Sequence, residues 1–212
     1  MLSHLVFDLD NTLYSPVCGV VERVDTAITA FMVERLGMTA DDADALRARY
    51  RKELGTTLNG LMRHHAVAPD EYLAYVHAID VEALLAPDAA LQTMLDALPH
   101  AKVVFTNGSA VHAERVLACL GVRDRFAEVF SLERVAYVPK PERGAFESLL
   151  RALDVAALRC LVIDDRVDNL RSAGDLGMRT LLVGDGAAPS GVDAAVASVL
   201  ELPVALRAME TS

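Results

Sequence analysis

The amino-acid sequence predicts an α/β protein: a parallel sheet with helices on both faces, and a small all-helical segment inserted after the first strand. Three observations predict it. Short apolar runs alternate with segments of helical period, the pattern of a parallel sheet covered by helices. Each of the first three runs ends in polar residues capable of chemistry. Between Ser15 and Leu85 the spacing is helical throughout, with no convincing strand.

The strands come in chain order as Leu5-Val6-Phe7 running into Asp8, Val103-Val104-Phe105 ending at Thr106, Leu161-Val162-Ile163 ending at Asp164 and Asp165, and Thr180-Leu181-Leu182-Val183 ending at Gly184. The helices between them carry start and stop signals. Pro87 opens a segment with Leu91, Met94, Leu95 and Leu98 on one face. Ser109 caps a helix bearing Val116, Leu117 and Leu120, which Gly121 terminates. Pro141 opens another with Phe146, Leu149, Leu150 and Leu153, and a further one with Leu170, Ala173 and Leu176 stops at Gly177. In the inserted segment, Val17, Val20, Val21, Val24, Ile28 and Phe31 share helical spacing. Thr39 caps a second helix with Leu46 and Tyr50, a third piece runs from Thr57 to His65, and Pro69 opens a fourth with Tyr72, Tyr75, Val76 and Ile79. After Gly184 the periods are diluted, and only a helix near Pro203 to Met209 is expected. The expected organisation is a discontinuous core of residues 1–14 and 86–212 with a helical cap of residues 15–85.

The chain has 212 residues, of which 53% are hydrophobic and 24% charged, which excludes a disordered chain. Asp8 and Asp10 interrupt the one N-terminal apolar stretch, so no bilayer span is expected. The opening Met-Leu-Ser-His lacks the basic region of a signal peptide. Cys18, Cys119 and Cys160 are odd in number and lack metal-ligand spacing, which suits buried thiols in a reduced, cytoplasmic setting. A net charge of −10 without a basic stripe argues against a nucleic-acid polymer as partner. It also means that an anionic substrate would have to be drawn in by a metal ion and one or two placed cations, in a compact, deep site.

Ligands of open parallel sheets bind beyond the carboxyl ends of the strands. Asp8, Asp10, Thr106, Asn107, Asp164 and Asp165 are therefore expected to meet in one crevice. Several carboxylates at apolar strand ends repel one another, and a divalent cation removes that cost. Magnesium suits best, being hard and content with few carboxylates plus water and phosphate oxygens. Taken singly, Asp8-Leu9-Asp10 reads as a turn or cap, Thr106-Asn107-Gly108-Ser109 as a turn leading into a helix, and Lys140 as a surface lysine. Taken together, acid, hydroxyl, lysine and acid pair at successive strand ends are unlike a set of independent turns. His64 and His65 are adjacent on a helix and do not share a face, and His77 and His112 read as helix-surface residues.

Phe7-Asp8-Leu9-Asp10-Asn11-Thr12-Leu13 resembles the first motif of the haloacid dehalogenase superfamily. Thr106-Asn107, Lys140 before Pro141, and Asp164-Asp165 followed by Asn169 resemble its later motifs, in the family's order. The resemblance implies a Rossmann-like core and a set of roles. Asp8 would be the nucleophile, giving an aspartyl-phosphate. Asp10 would be the general acid and base, its backbone carbonyl joining Asp8 on Mg2+. Asp165 would complete the direct metal ligands, with Asp164 and Asn169 orienting them, although Asp164 and Asp165 could exchange places. The Thr106 hydroxyl and Asn107 backbone N–H would bind phosphate oxygens. Lys140 would offset the charge of Asp8 and the phosphate.

Dehalogenase members lack an acid at the position of Asp10, because halide leaves without a proton. Its presence implies an oxygen leaving group and a phosphatase. Asp8 to Tyr14, Tyr50 to Leu61 and Lys140-Pro141 look like the pyrimidine 5′-nucleotidase branch. That likeness implies a nucleoside monophosphate as the small phosphorylated partner, with Thr56, Asn59 and His64 as candidates to contact base or sugar, in a monomer or homodimer without membrane contact. The alternatives are a sugar-phosphate phosphatase or phosphomutase, and a non-catalytic phosphate-ligand-binding protein on the same fold.

Overall fold

The computed structural model of the protein describes residues 1–210. The first strand, β1 (His4–Phe7), is followed by four helices, α1 (Val20–Leu36), α2 (Ala40–Leu54), α3 (Thr57–His65) and α4 (Pro69–Val76). The chain then alternates through α5 (Ala89–Asp96), β2 (Ala101–Phe105), α6 (Ala110–Leu120), β3 (Glu128–Phe130), α7 (Arg143–Leu153), β4 (Cys160–Asp164), α8 (Val167–Gly174), β5 (Arg179–Val183), β6 (Ala194–Val196) and α9 (Leu202–Glu210). All strands pair in parallel in the order β3-β2-β1-β4-β5-β6.

Alternation along the strands explains both faces. Leu5 and Phe7 of β1, Val104 of β2, and Leu161 and Ile163 of β4 bury against Leu91, Leu95, Val116, Leu117, Leu202 and Leu206. Val6, Val103, Phe105, Val162 and Leu182 bury on the opposite face against Phe146, Leu149, Leu170 and Ala173. Strands covered on both sides are apolar along their central stretch, which is why they stand out as runs in the sequence. Phe105 and Phe146 meet edge to face at 5.3 Å. Truncating a ring so buried costs about 3–5 kcal/mol.

The helix starts follow local chemistry. Ser109 Oγ accepts the His112 N–H at 3.2 Å, Thr39 Oγ1 accepts the Asp42 N–H at 3.2 Å, and Thr56 Oγ1 accepts the Asn59 N–H at 3.1 Å. Two expected starts move. Asp88 Oδ1 takes the N–H groups of Ala90 and Leu91, so α5 begins after Pro87 rather than on it. Pro141 lies in a turn closed by Glu142 N–H to the Pro139 carbonyl, and α7 starts at Arg143. Val17 is exposed in a short 3₁₀ turn, separated from α1 by Gly19 at φ 76°.

Helices α1–α4 pack through Phe31, Met32, Tyr50, Leu61, Tyr72 and Val76. A Cβ on Gly60 would lie 2.1 Å from the Tyr50 ring, so this close approach of α2 and α3 requires glycine. Cys18, Cys119 and Cys160 are free thiols, and among the described residues no helix is long and apolar enough to cross a membrane. The chain leaves β1 toward β2 on one side and returns to β4 on the other. The carboxyl ends of β1, β2 and β4 therefore border a topological switch point, where a crevice forms.

Candidate active site

Lys140 organises this crevice. Its ammonium is buried and donates three hydrogen bonds: to Asp8 Oδ1 at 2.7 Å, to Asp164 Oδ2 at 2.8 Å and to the Phe105 carbonyl at 2.7 Å. All three of its donors are used. Burial opposes the charge, yet Asp164 and Asp8 outweigh it and hold the ammonium above its ordinary value. The backbone of Lys140 is held as firmly. Its carbonyl accepts from Asn107 Nδ2 at 2.9 Å, and its N–H donates to Asn107 Oδ1 at 2.8 Å. The Asn107 side chain is thus spent on Lys140, which leaves its backbone N–H as the group able to face a ligand.

Asp164 is fully buried and saturated. One oxygen accepts from Arg166 N–H and Asn169 Nδ2, both at 2.9 Å, and the other from Lys140 and from Asn169 Nδ2 at 3.0 Å. Asp165 beside it is half-buried, and its acidity is weakened to a pKa of about 6, first by burial and then by the charge of Asp164. Asp8 is raised above the ordinary carboxylate range by burial. Lys140 pulls it back, and Asp164 and Asp165 push it further up. Thr12 Oγ1 donates to its Oδ2 at 3.2 Å.

One ammonium does not neutralise three carboxylates. Ligand oxygens of Asp8, Asp164 and Asp165 all lie within 4.8 Å of one another. The donor set is purely oxygen, as a hard divalent cation prefers. Asn169 Oδ1 is buried without a protein partner, leaving an acceptor for an ordered water beside such an ion. The residues present therefore fit a divalent cation. Asp165, with its carboxylate uncommitted, is better placed to ligate it directly than Asp164.

The Asp10 side chain stands outside this acidic cluster. Its Oδ1 accepts from the Tyr14 hydroxyl at 2.6 Å and lies 2.8 Å from His112 Nε2. Burial would raise the Asp10 carboxyl, but the charge and hydrogen bond of His112 and the Tyr14 hydroxyl outweigh it and lower the pKa. His112 and His77 are not surface residues. Both are buried, their rings stacked at 4.4 Å and 17°, with His77 Nδ1 at 3.0 Å from Ser109 Oγ. The missed signal was local. His112 precedes Val116 by four and Leu120 by eight, on the buried stripe of α6, and His77 follows Leu73 by four.

Above these groups lies a chamber of about 250 Å³. Asp8, Asp10, Thr106, Asn107, Lys140 and Asp165 line its floor. Val21, Val24 and Ile28 of α1 and Leu73 and Val76 of α4 line its walls, together with Thr56 and Arg51. Of the cap candidates, Thr56 alone reaches the chamber. Asn59 lines a neighbouring cleft, where its Nδ2 donates to the Leu54 carbonyl at 3.0 Å and to Glu142 at 3.2 Å. His64 is exposed and stacks on Tyr50 at 5.6 Å, outside the chamber, because α3 turns that face outward.

A doubly wound parallel sheet brings together an acid loop after β1, a hydroxyl loop after β2, a buried lysine and an acid pair after β4, a set of groups suited to chemistry on an oxyanion. A family profile for haloacid dehalogenase-like hydrolases matches residues 2–177, and the chain belongs to that family. The chain is 29% identical over 189 residues to "Phosphate metabolism protein 8" of Saccharomyces cerevisiae, covering 81% of this chain but 58% of the yeast protein's length. It is 27% identical over 198 residues to "Phosphatase MT3486" of Mycobacterium tuberculosis, covering 86% and 87% of the two chains. The fold is similar to CbbY of Rhodobacter sphaeroides in complex with phosphate, with a TM-score of 0.66 at 22% identity over 95% of this chain and 96% of that one. It is also similar to a 2-haloacid dehalogenase of Pseudomonas syringae, with a TM-score of 0.63 at 21% identity over 99% and 100%.

Proposed function

We propose that this chain is a Mg2+-dependent phosphomonoester hydrolase that works through an aspartyl-phosphate on Asp8. The observation that carries this reading is Lys140, held between Asp8 and Asp164 with Asp165 alongside and Asp10 across the chamber floor. The phosphatase class is further supported by the family and by the mycobacterial relative's name.

In this mechanism an oxygen of Asp8 attacks phosphorus, and the bond from phosphorus to the leaving oxygen breaks. Asp10, whose pKa the incoming phosphate dianion raises against the pull of His112 and Tyr14, gives that oxygen its proton. Asp10, now a carboxylate, then takes a proton from water. That water attacks phosphorus, releasing inorganic phosphate and restoring the Asp8 carboxylate. Lys140 holds Asp8 in place and offsets its charge, so that two anions can approach. The Thr106 hydroxyl and the Asn107 N–H hold phosphate oxygens. Asp8, Asp165 and the Asp10 carbonyl would hold Mg2+, with Asp164 fixing Lys140 and Asn169 behind them. When bound, the ion neutralises the developing charge on phosphate.

The substrate reading is a pyrimidine nucleoside 5′-monophosphate. The motif likeness of Asp8 to Tyr14 and Tyr50 to Leu61 supports it, and so does the chamber. Aliphatic walls from α1 and α4 suit a flat ring, with Thr56 and Arg51 available to its polar edge. A substrate whose whole leaving group is hydroxylated gains little from these walls, whereas a nucleotide brings a flat base to them.

A phosphate-release panel with Mg2+ tests both levels. CMP, UMP and dTMP are expected to be hydrolysed faster than purine monophosphates and sugar phosphates, with all activity lost in Asp8→Asn. Faster turnover of sugar phosphates overturns the substrate reading alone. No release from any ester, with no labelling of Asp8 by a phosphate mimic, overturns the mechanism.

A further inference from the structure

Asp10 is held in an unusual way for a residue asked to move a proton. Both of its donors converge on one oxygen, Oδ1, from Tyr14 at 2.6 Å and His112 at 2.8 Å. The other oxygen, Oδ2, lies on the side of Gly108, 3.7 Å from where a Cβ on that glycine would stand, and Asp10 and Gly108 both line the chamber. Two residues along the chain stands Asp8, in a cluster able to hold a cation. An unrestrained Asp10 carboxylate would be drawn to that charge and away from the leaving group.

The restraint is itself braced. The His112 side chain is fully buried, and its ring is stacked on His77. Ser109 Oγ accepts the backbone N–H of His112 at 3.2 Å and bonds His77 Nδ1 at 3.0 Å, so one hydroxyl ties both histidines. The carbonyl of His77 accepts from Arg115 at 3.2 Å. His112 Nε2 is the ring nitrogen that faces Asp10, where its N–H donates to the carboxylate, and Nδ1 is buried without a protein partner. A Cβ on Gly108 would lie 3.1 Å from the His112 ring and 3.2 Å from Thr106 Oγ1, so glycine keeps the room this packing needs.

We propose that His112 and Tyr14 are positioning residues that pin Oδ1 of Asp10, leaving Oδ2 to carry the proton between the leaving oxygen and water. This rests on the reading of Asp10 as the proton carrier. Oδ1 keeps its two bonds throughout the cycle. Oδ2 releases its proton as the bond from phosphorus to the leaving oxygen breaks, and takes one back from the attacking water. Neither His112 nor Tyr14 lines the chamber.

The test compares two esters of similar size on the intact enzyme with Mg2+. Benzyl phosphate leaves as an alkoxide and needs the proton, whereas p-nitrophenyl phosphate leaves as a stable phenolate. The readout is kcat/KM, which reports steps up to cleavage of the ester and not the later hydrolysis. His112→Met and Tyr14→Phe are expected to lower kcat/KM for benzyl phosphate by about 10- to 100-fold and for p-nitrophenyl phosphate by less than about threefold. His112→Gln, which restores an N–H near the position of Nε2, is expected to recover part of the loss. Equal losses on both esters, or no recovery in His112→Gln while Tyr14→Phe is silent, overturn the proposal in favour of a purely structural role. Asp10→Asn separates the underlying reading. If it does not itself discriminate between the esters, Asp10 is not the proton carrier, and the pinning role falls with it.

Discussion

Asn107 and Lys140 are joined by a reciprocal pair of hydrogen bonds, the side-chain amide of one closing on both polar groups of the other's backbone, at 2.9 and 2.8 Å. They are 33 residues apart, and the pair fastens the loop after β2 to the loop that carries the lysine. A buried cation is useful only if it cannot wander, and its backbone is fixed by a neighbouring loop.

Asn107→Ala should therefore act on Lys140. Two buried backbone groups lose their partners, and stability is expected to fall by about 1–3 kcal/mol. Phosphate release should fall by about 10- to 100-fold, because the ammonium is no longer held against Asp8. Denaturant unfolding and steady-state rates on one preparation check both. An unchanged rate in a stably folded variant would show that Lys140 holds its place unaided.

Asp164 and Asp165 should separate in their dependence on metal. Asp165 is the uncommitted carboxylate, so Asp165→Asn should raise the Mg2+ concentration for half-maximal activity by at least about tenfold, with the fold intact. Asp164→Asn removes one partner of a buried ion pair and should destabilise the protein by about 3–5 kcal/mol, with or without Mg2+. Magnesium titrations followed by activity and by thermal unfolding distinguish them. Chelation with EDTA should abolish phosphate release by the unaltered protein, and added Mg2+ should restore it.

The core strands were legible because burial on both faces leaves each with a run of consecutive apolar residues. β3 and β6 were not. Each has three residues, Glu128-Val129-Phe130 pairs only with β2, and Ala194-Ala195-Val196 is built mostly from residues with little preference for strand. The groups on the chamber floor were legible because each sits where an apolar run stops. What stayed hidden was the support behind Asp10. His77 caps the carboxyl end of α4 and His112 lies in the first turn of α6, and only the folded chain stacks one on the other. The place of His64 was hidden for the same reason, since which face of α3 looks toward the chamber depends on how Tyr50 packs.

His77 should make stability depend on pH. Burial, reinforced by the charge of His112 and only partly opposed by Asp10, lowers its pKa to about 3 from an ordinary value of 6.5. Between those values the unfolded chain takes up a proton that the folded protein refuses. The stability contributed by a neutral His77 is thus fully present above about pH 6.5 and is lost as pH falls toward 3. From about pH 7 to about pH 5 the loss from this group is about 2 kcal/mol. Asp165 works in the opposite direction. Its carboxyl, raised to about 6, is protonated more readily when folded, so it adds stability as pH falls. The informative quantity is therefore the difference between proteins. Denaturant unfolding near both pH values should show the unaltered chain losing about 2 kcal/mol more than His77→Gln, which offers Ser109 an amide and takes up no proton. Equal losses would mean that the histidine stack opens to admit the proton before the protein unfolds, and that the brace behind Asp10 is looser than its 4.4 Å stacking implies.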